Sequence, residues 1–119
     1  MTLGINGLGR MGRTILREAI KRGHTIKALN DIAKWEILTY LIEFDSVHGV
    51  LNRNISYHND TLCIDNQKIH VSNHNNPKDI DFGEVDIVIE SSGKSHNRIY
   101  QAPFTKRCKK NYHFSPTAR

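Results

Sequence analysis

Hydrophobic and polar residues alternate along this chain in blocks that predict an α/β fold. The short apolar segment 3–6 has the length of a buried strand, and segment 13–22 carries apolar residues three and four apart, as in an amphipathic helix. Gly23 follows where a helix-terminating glycine is expected. Segment 25–31 alternates again and predicts a second strand, so the chain opens with a strand, a helix and a strand.

The later segments extend this order with one interruption. Segment 34–44 predicts a second amphipathic helix, and segment 55–71 predicts three short strands separated by polar turns. Segment 85–90 predicts a buried strand, segment 99–110 a helix, and segment 111–116 a further strand that lacks an apolar core. The pattern predicts a Rossmann-type, doubly wound, mostly parallel sheet with a small antiparallel insertion near residues 55–72.

Three glycines between the first strand and the first helix have the spacing G-x-G-x-x-G. In that setting Gly7 allows the tight turn, Gly9 lets the backbone approach a pyrophosphate, and Gly12 lets the helix pack closely. The helix N-terminus would direct free N–H groups at the phosphates. Turn-rich loops match such spacing by chance, so the prediction of a dinucleotide site depends on the flanking strand and helix.

Asp31 adds an independent indication, because it ends the second predicted strand roughly 20 residues after the glycines. A Rossmann fold places a carboxylate there on the adenosine ribose hydroxyls. A carboxylate would also repel a 2′-phosphate, which favours NAD over NADP. The alternative interpretation is that Asp31 is the N-cap of the next helix, and both roles can coexist.

Small residues follow the strand predicted over 85–90. Ligands of open α/β sheets bind outside the carboxyl ends of the strands, so Ser91, Ser92 and Gly93 are candidates for a wall of the cofactor site. An ordinary strand-to-helix turn has the same composition, and the sequence leaves both interpretations open.

Composition limits the remaining possibilities. A chain of 119 residues is one domain in size, and its net charge of +5 favours anionic ligands. Seven basic residues and no acidic one lie between 94 and 119, which raises a polyanion- or RNA-binding module as an alternative, although the aromatic residues of this segment are not arranged around the cations as in RNA-recognition motifs. Cys63 and Cys108 predict neither a zinc site nor a disulfide framework, which fits a cytoplasmic location. No apolar run has the length of a membrane helix.

Four segments together resemble one known family. They read INGLGRMGR at 5–13, ND at 30–31, FDSVHG at 44–49 and ESSG at 90–93. They are similar to the N-terminal NAD-binding half of phosphorylating glyceraldehyde-3-phosphate dehydrogenases and the related erythrose-4-phosphate dehydrogenases. The resemblance extends in one register from residue 1 to about residue 116, where either Phe114 or Ser115 matches a family serine.

The resemblance implies a role for each part of the site. It implies that Arg10 and Met11 meet the pyrophosphate, that Asp31 binds the adenosine ribose, and that Asn6 lies behind the nicotinamide. It also implies an adenine and ribose side lined by Ser91, Ser92 and Gly93. Asn75 stands where the family usually has an arginine beside the adenine.

The same resemblance implies an NAD-dependent oxidative phosphorylation of an aldose phosphate, with triose and tetrose phosphates both open. That chemistry needs a cysteine thiolate and a histidine in a second domain. We therefore expect residues 1–119 to be a single, incomplete NAD-binding domain, truncated before the catalytic domain, with no turnover alone. NAD and either further copies of the chain or the missing domain are the expected partners; neither nucleic acid nor a membrane is. The alternatives are a stand-alone NAD- or polyanion-binding module and a degenerate truncated gene product.

Overall fold

The computed structural model describes residues 1–46 and 48–93 and, as backbone, residues 110–113. The predicted helix over 99–110 lies outside the described residues except for residue 110, which begins a strand, and the choice between Phe114 and Ser115 lies outside them altogether. Within them the chain forms two α-helices, one short 3₁₀ helix and nine strands. The helices are α1 (Arg10–Lys21) and α2 (Trp35–Glu43), and the 3₁₀ helix covers Pro77–Asp79. The strands are β1 (Thr2–Asn6), β2 (Thr25–Asn30), β3 (Phe44–Asp45), β4 (Gly49–Val50), β5 (Ile55–His58), β6 (Thr61–Ile64), β7 (Gln67–Ser72), β8 (Ile87–Glu90) and β9 (Lys110–His113).

Seven of these strands form one sheet in the order β5-β6-β7-β2-β1-β8-β9. The pairs β7-β2, β2-β1, β1-β8 and β8-β9 are parallel, whereas β5-β6 and β6-β7 are antiparallel. The separate pair β3-β4 is a small antiparallel hairpin after α2. The predicted Rossmann-type α/β fold with an antiparallel insertion is therefore confirmed. β9 forms although its sequence is polar, because backbone pairing with β8 does not depend on an apolar side-chain pattern.

Two helix boundaries differ from the pattern-based prediction. α1 begins at Arg10, three residues before the predicted start at residue 13, and α2 covers Trp35–Glu43 rather than 34–44. The pattern hid the first turn of α1 because Gly12 is a poor helix former and Arg10 is polar. Gly23 ends α1 with a φ of +79°, as predicted.

Apolar residues pack on both faces of the sheet. The larger cluster joins β1, β2 and β5–β7 to buried residues of α1 and α2, including Leu16, Trp35 and Ile42. The smaller cluster lies on Ala28, Ile80, Phe82, Val85 and Val88. Because β1, β2, β7 and β8 are parallel, their carboxyl ends meet at one edge of the sheet. Apolar residues pack on the faces, so the polar residues at this edge form the surface that a ligand can reach.

Candidate functional site

Two of the three glycines at the turn between β1 and α1 cannot be replaced by a larger residue without a clash. Gly7 has a φ of +96°, and a Cβ there would collide with the backbone of Ser91 and Ser92. A Cβ on Gly12 would overlap the carbonyl oxygen of Gly7. Both predicted roles are therefore confirmed: Gly7 makes the tight turn, and Gly12 lets α1 pack directly on that turn.

Gly9 differs from the other two glycines, because a Cβ there would meet no atom within 4 Å. Gly9 is exposed and is the N-cap of α1, with φ −70° and ψ −164°. The N-terminus of α1 has no side-chain cap and no acidic residue in its first turn. An open backbone surface next to uncapped N–H groups fits an anionic ligand.

Asp31 lies beside this turn, immediately after β2. Its Oδ2 accepts the backbone N–H of Leu8 at 2.6 Å, and its Oδ1 accepts that of Ala33 at 2.9 Å. The interpretation of Asp31 as the N-cap of α2 is wrong: that position belongs to Lys34, and Asp31 instead stabilises the turn over residues 31–33 that precedes it. Each carboxylate oxygen has a further lone pair, so Asp31 retains acceptor capacity toward a ligand.

A cleft of about 220 Å³ opens between the glycine turn, the end of β2 and the loop after β7. Seven of the ten predicted site residues line it, namely Asn6, Gly7, Gly9, Asp31, Asn75, Ser91 and Ser92. Arg10 and Met11 lie outside its lining, exposed on the first turn of α1, and Gly93 follows the wall formed by the two serines. The turn after β8 therefore contributes a wall of the cleft.

Four lining residues were not predicted. Asn30 and Ile32 flank Asp31, His74 lies in the loop after β7, and Pro77 begins the 3₁₀ helix that follows this loop. Asn30 was detectable as a polar residue ending a buried strand, and Ile32 is 59% exposed despite its apolar side chain. His74 and Pro77 carried no signal, because a polar loop in sequence does not reveal which strand end it covers.

The sequence comparisons agree with this geometry. The family described as "Glyceraldehyde 3-phosphate dehydrogenase, NAD binding domain" matches residues 1–98. The chain belongs to this family. It is 43% identical over 99 residues to the glyceraldehyde-3-phosphate dehydrogenase of Helicobacter pylori, covering 79% of this chain and 29% of that protein. It is 37% identical over 108 residues to that of Geobacillus stearothermophilus, covering 88% of this chain and 30% of that protein.

The family match confirms the predicted resemblance and NAD as the cofactor of this domain. The chain spans less than a third of the length of the curated relatives it matches. The match ends at residue 98, although the alignment with the Geobacillus protein is 108 residues long. In the described part of the chain, neither α1 nor α2 has the length and hydropathy of a membrane-spanning helix.

The residues present fit a dinucleotide. Gly9 leaves the space that a Cβ would fill, and the uncapped start of α1 offers N–H donors toward it. Asp31 offers a carboxylate in the same cleft, where ribose hydroxyls would be its donors. NAD would supply the hydride acceptor, and this domain supplies the surfaces that bind and orient it.

Proposed function

We propose that this chain binds NAD in the cleft between the glycine turn and the loop after β7, as the cofactor-holding part of an aldose phosphate dehydrogenase. The observation that carries the proposal is the open surface at Gly9, which lies at the uncapped N-terminus of α1 and lines the same cleft as Asp31. A phosphate and a ribose of one ligand have their preferred partners there.

In this proposal the pyrophosphate lies over Gly9 and accepts hydrogen bonds from the backbone N–H groups of Arg10 and Met11. Asp31 accepts the adenosine ribose hydroxyls, and Asn6 lies behind the nicotinamide. The adenine side is formed by Asn75, Ser91, Ser92 and Gly93. Exposure of the Arg10 and Met11 side chains is compatible with these roles, since the backbone makes the contacts.

The reaction of the complete protein is then an NAD-dependent oxidative phosphorylation of an aldose phosphate, and residues 1–119 act as one NAD-binding domain. Self-association is the further partner interaction that we propose, because Ile37, Tyr40, Phe44 and Val50 expose apolar surface. We also propose a cytoplasmic location, which suits the free thiol of Cys63.

Calorimetric titration of the purified chain with NAD tests the central proposal. We expect binding of NAD to be tighter than that of NADP, because the Asp31 carboxylate repels a 2′-phosphate. Gly9→Ala is the informative variant: its methyl group meets nothing within 4 Å in the free protein but occupies the space proposed for the pyrophosphate. It should keep the wild-type unfolding temperature and lose at least tenfold in NAD affinity, about 1.4 kcal/mol.

Two results would contradict the proposal. One is wild-type protein that releases no heat and shows no thermal shift at millimolar NAD. The other is Gly9→Ala protein that binds NAD as well as wild type does.

A further inference from the structure

Four polar side chains form a continuous line across the carboxyl ends of β7, β2, β1 and β8. Ser72 Oγ donates to Asn30 Oδ1 at 2.7 Å, and Asn30 Nδ2 donates to Asn6 Oδ1 at 2.9 Å. Asn6 Nδ2 then donates to Glu90 Oε2 at 2.8 Å. Each neighbouring pair bridges adjacent strands, so the line runs beneath the cleft from one wall to the other.

The line has a direction, which is set at the Glu90 end by an acceptor. Glu90 Oε2 accepts the Asn6 amide, and Oε1 accepts the backbone N–H of Ser92 at 2.8 Å. Two donors therefore converge on the two oxygens of one carboxyl group. Asn6 presents its NH₂ group to Glu90 and its Oδ1 to Asn30.

The other end fixes the same direction through backbone groups. The Oδ1 atom of Asn30 accepts the His74 N–H at 2.8 Å, and its Nδ2 donates to the His74 carbonyl at 2.9 Å. With Ser72 and Asn6 included, Asn30 makes all four hydrogen bonds that an amide side chain ordinarily forms. Turning either amide over would bring donor against donor.

Burial makes this arrangement costly to disturb. Glu90 is 1%, Asn30 2% and Asn6 6% exposed. Among the described residues, no salt bridge reaches Glu90, so hydrogen bonds alone compensate its burial. A buried donor left without an acceptor destabilises the fold by the full free energy of its desolvation. Water has little access here to replace a lost partner.

We propose that Glu90 is a positioning residue for the cofactor cleft. Glu90 does not line the cleft, whereas both amides and His74 do. Acting through Asn6, it holds the amides of the cleft floor in one orientation and couples the wall after β8 to the loop after β7. The proposal rests on the proposed NAD site, because the cleft it organises is the one assigned to NAD.

A double-mutant cycle tests this coupling, since Glu90 and Asn30 have no hydrogen bond to each other and are linked through Asn6. Glu90→Gln replaces one of two acceptor oxygens by a donor, so either Asn6 or Ser92 faces an N–H group. Asn30→Ala removes the next amide in the line. We expect each change to weaken the binding of NAD about tenfold, which corresponds to about 1.4 kcal/mol. The double variant should bind NAD no more than about thirtyfold more weakly than wild type, because either single variant already removes or weakens a hydrogen bond that orients Asn6.

The matched control is Asp86→Asn, which changes a carboxylate to an amide just before β8, at the opposite end of the strand from the cleft. Asp86 Oδ2 accepts the backbone N–H and the hydroxyl of Thr2 at 3.0 and 3.2 Å. When Asp86→Asn is combined with Asn30→Ala, the fold-change in NAD affinity should equal the product of the fold-changes of the two single variants. A product of about one hundredfold in the Glu90 and Asn30 cycle would overturn the proposal.

Amide resonances give a second readout that does not require NAD. In folded Asn30→Ala protein we expect the backbone amide signal of Ser92 to shift, although Ser92 and Asn30 share no hydrogen bond, and in Asp86→Asn it should not. An unmoved Ser92 signal in Asn30→Ala would overturn the coupling, whether or not wild-type protein binds NAD. Failure of wild-type protein to bind NAD would instead contradict the proposed function. If Asn30→Ala does not fold, nuclear Overhauser contacts in wild type between the Asn6 side-chain amide and the Glu90 methylenes decide, and their absence would overturn the arrangement.

Discussion

The carboxylate of Asp31 and the backbone N–H of Leu8 form a hydrogen bond of 2.6 Å that ties the end of β2 to the glycine turn. The same carboxylate also accepts the N–H of Ala33 at 2.9 Å. Asp31 therefore stabilises the shape of the turn before any ligand arrives. Asp31, which we propose to contact the ribose, therefore also maintains the glycine turn, which we propose to contact the pyrophosphate.

We expect Asp31→Asn to lower the stability of the protein as well as its affinity for NAD. An asparagine has one acceptor oxygen, so its NH₂ group must face the N–H of either Leu8 or Ala33. Loss of one charge-assisted hydrogen bond should reduce the free energy of unfolding by about 1–3 kcal/mol, measured by urea denaturation. Asp60→Asn is the control, because Asp60 is an exposed turn residue with φ +58°, a conformation that Asn tolerates. Equal stability of the two variants would contradict this account of Asp31.

Gly12→Ala should destabilise the fold far more than Gly9→Ala. The added methyl group at Gly12 would overlap the carbonyl oxygen of Gly7 and lie 2.8 Å from Ser91 Oγ, so α1 must move away from the turn. Overpacking against fixed backbone costs on the order of 1–3 kcal/mol or more. Thermal unfolding followed by circular dichroism compares the two variants directly. A Gly12→Ala protein as stable as Gly9→Ala would show that α1 is not in close contact with the turn.

These glycines show what a sequence pattern can predict. The tight turn at Gly7 and the close packing at Gly12 follow from spacing and context, because a strand-turn-helix unit fixes the backbone geometry locally. The line formed by Asn6, Asn30 and Glu90 was not predictable in that way. Its members are 24 and 84 residues apart and meet only when β1 pairs with β2 and β8. Chain order gives no information about which loop covers which strand end, so His74 was missed for the same reason.

Arg17→Lys should destabilise the junction between α2 and the β3-β4 hairpin. Arg17 is 4% exposed, and its two terminal nitrogens donate to the carbonyls of Ile42 at 2.7 Å and Gly49 at 2.8 Å. A lysine has a single ammonium group and lacks the planar fork that reaches both carbonyls. We expect a loss of about 2 kcal/mol in the free energy of unfolding. Arg22→Lys is the control, because the Arg22 ion pair with Glu18 is exposed and screened by solvent, so its replacement should leave the free energy of unfolding nearly unchanged. Similar losses in both variants would argue against this role of Arg17.

Acid should weaken the turn between β6 and β7. Hydrogen bonds from Arg53 at 2.9 Å and from the N–H of Asn54 at 3.2 Å lower the pKa of the Asp65 carboxyl. Because the folded pKa lies below the unfolded value of about 3.9, this group stabilises the fold above pH 4. That contribution is lost as the pH falls from about 4 through the folded pKa. Asp65→Asn should flatten the decline of the unfolding midpoint in this range, since Asn also tolerates the φ of +52° at this position. An unchanged decline would exclude Asp65 as its source.

Gly4 and Phe82 should compensate for one another in paired substitutions. A Cβ on Gly4 would lie 2.6 Å from Phe82 Cδ1, and Phe82 is 1% exposed, so the loop before β8 packs directly on the backbone of β1. Gly4→Ala should therefore cost on the order of 1–3 kcal/mol through overpacking. Phe82→Leu should cost a comparable amount through the cavity that it leaves. Placing both changes in one protein lets the new methyl group occupy part of that cavity, so the double variant should be more stable than the sum of the single losses predicts. Urea denaturation of the four proteins measures the difference, and strict additivity would show that the two residues are not in contact.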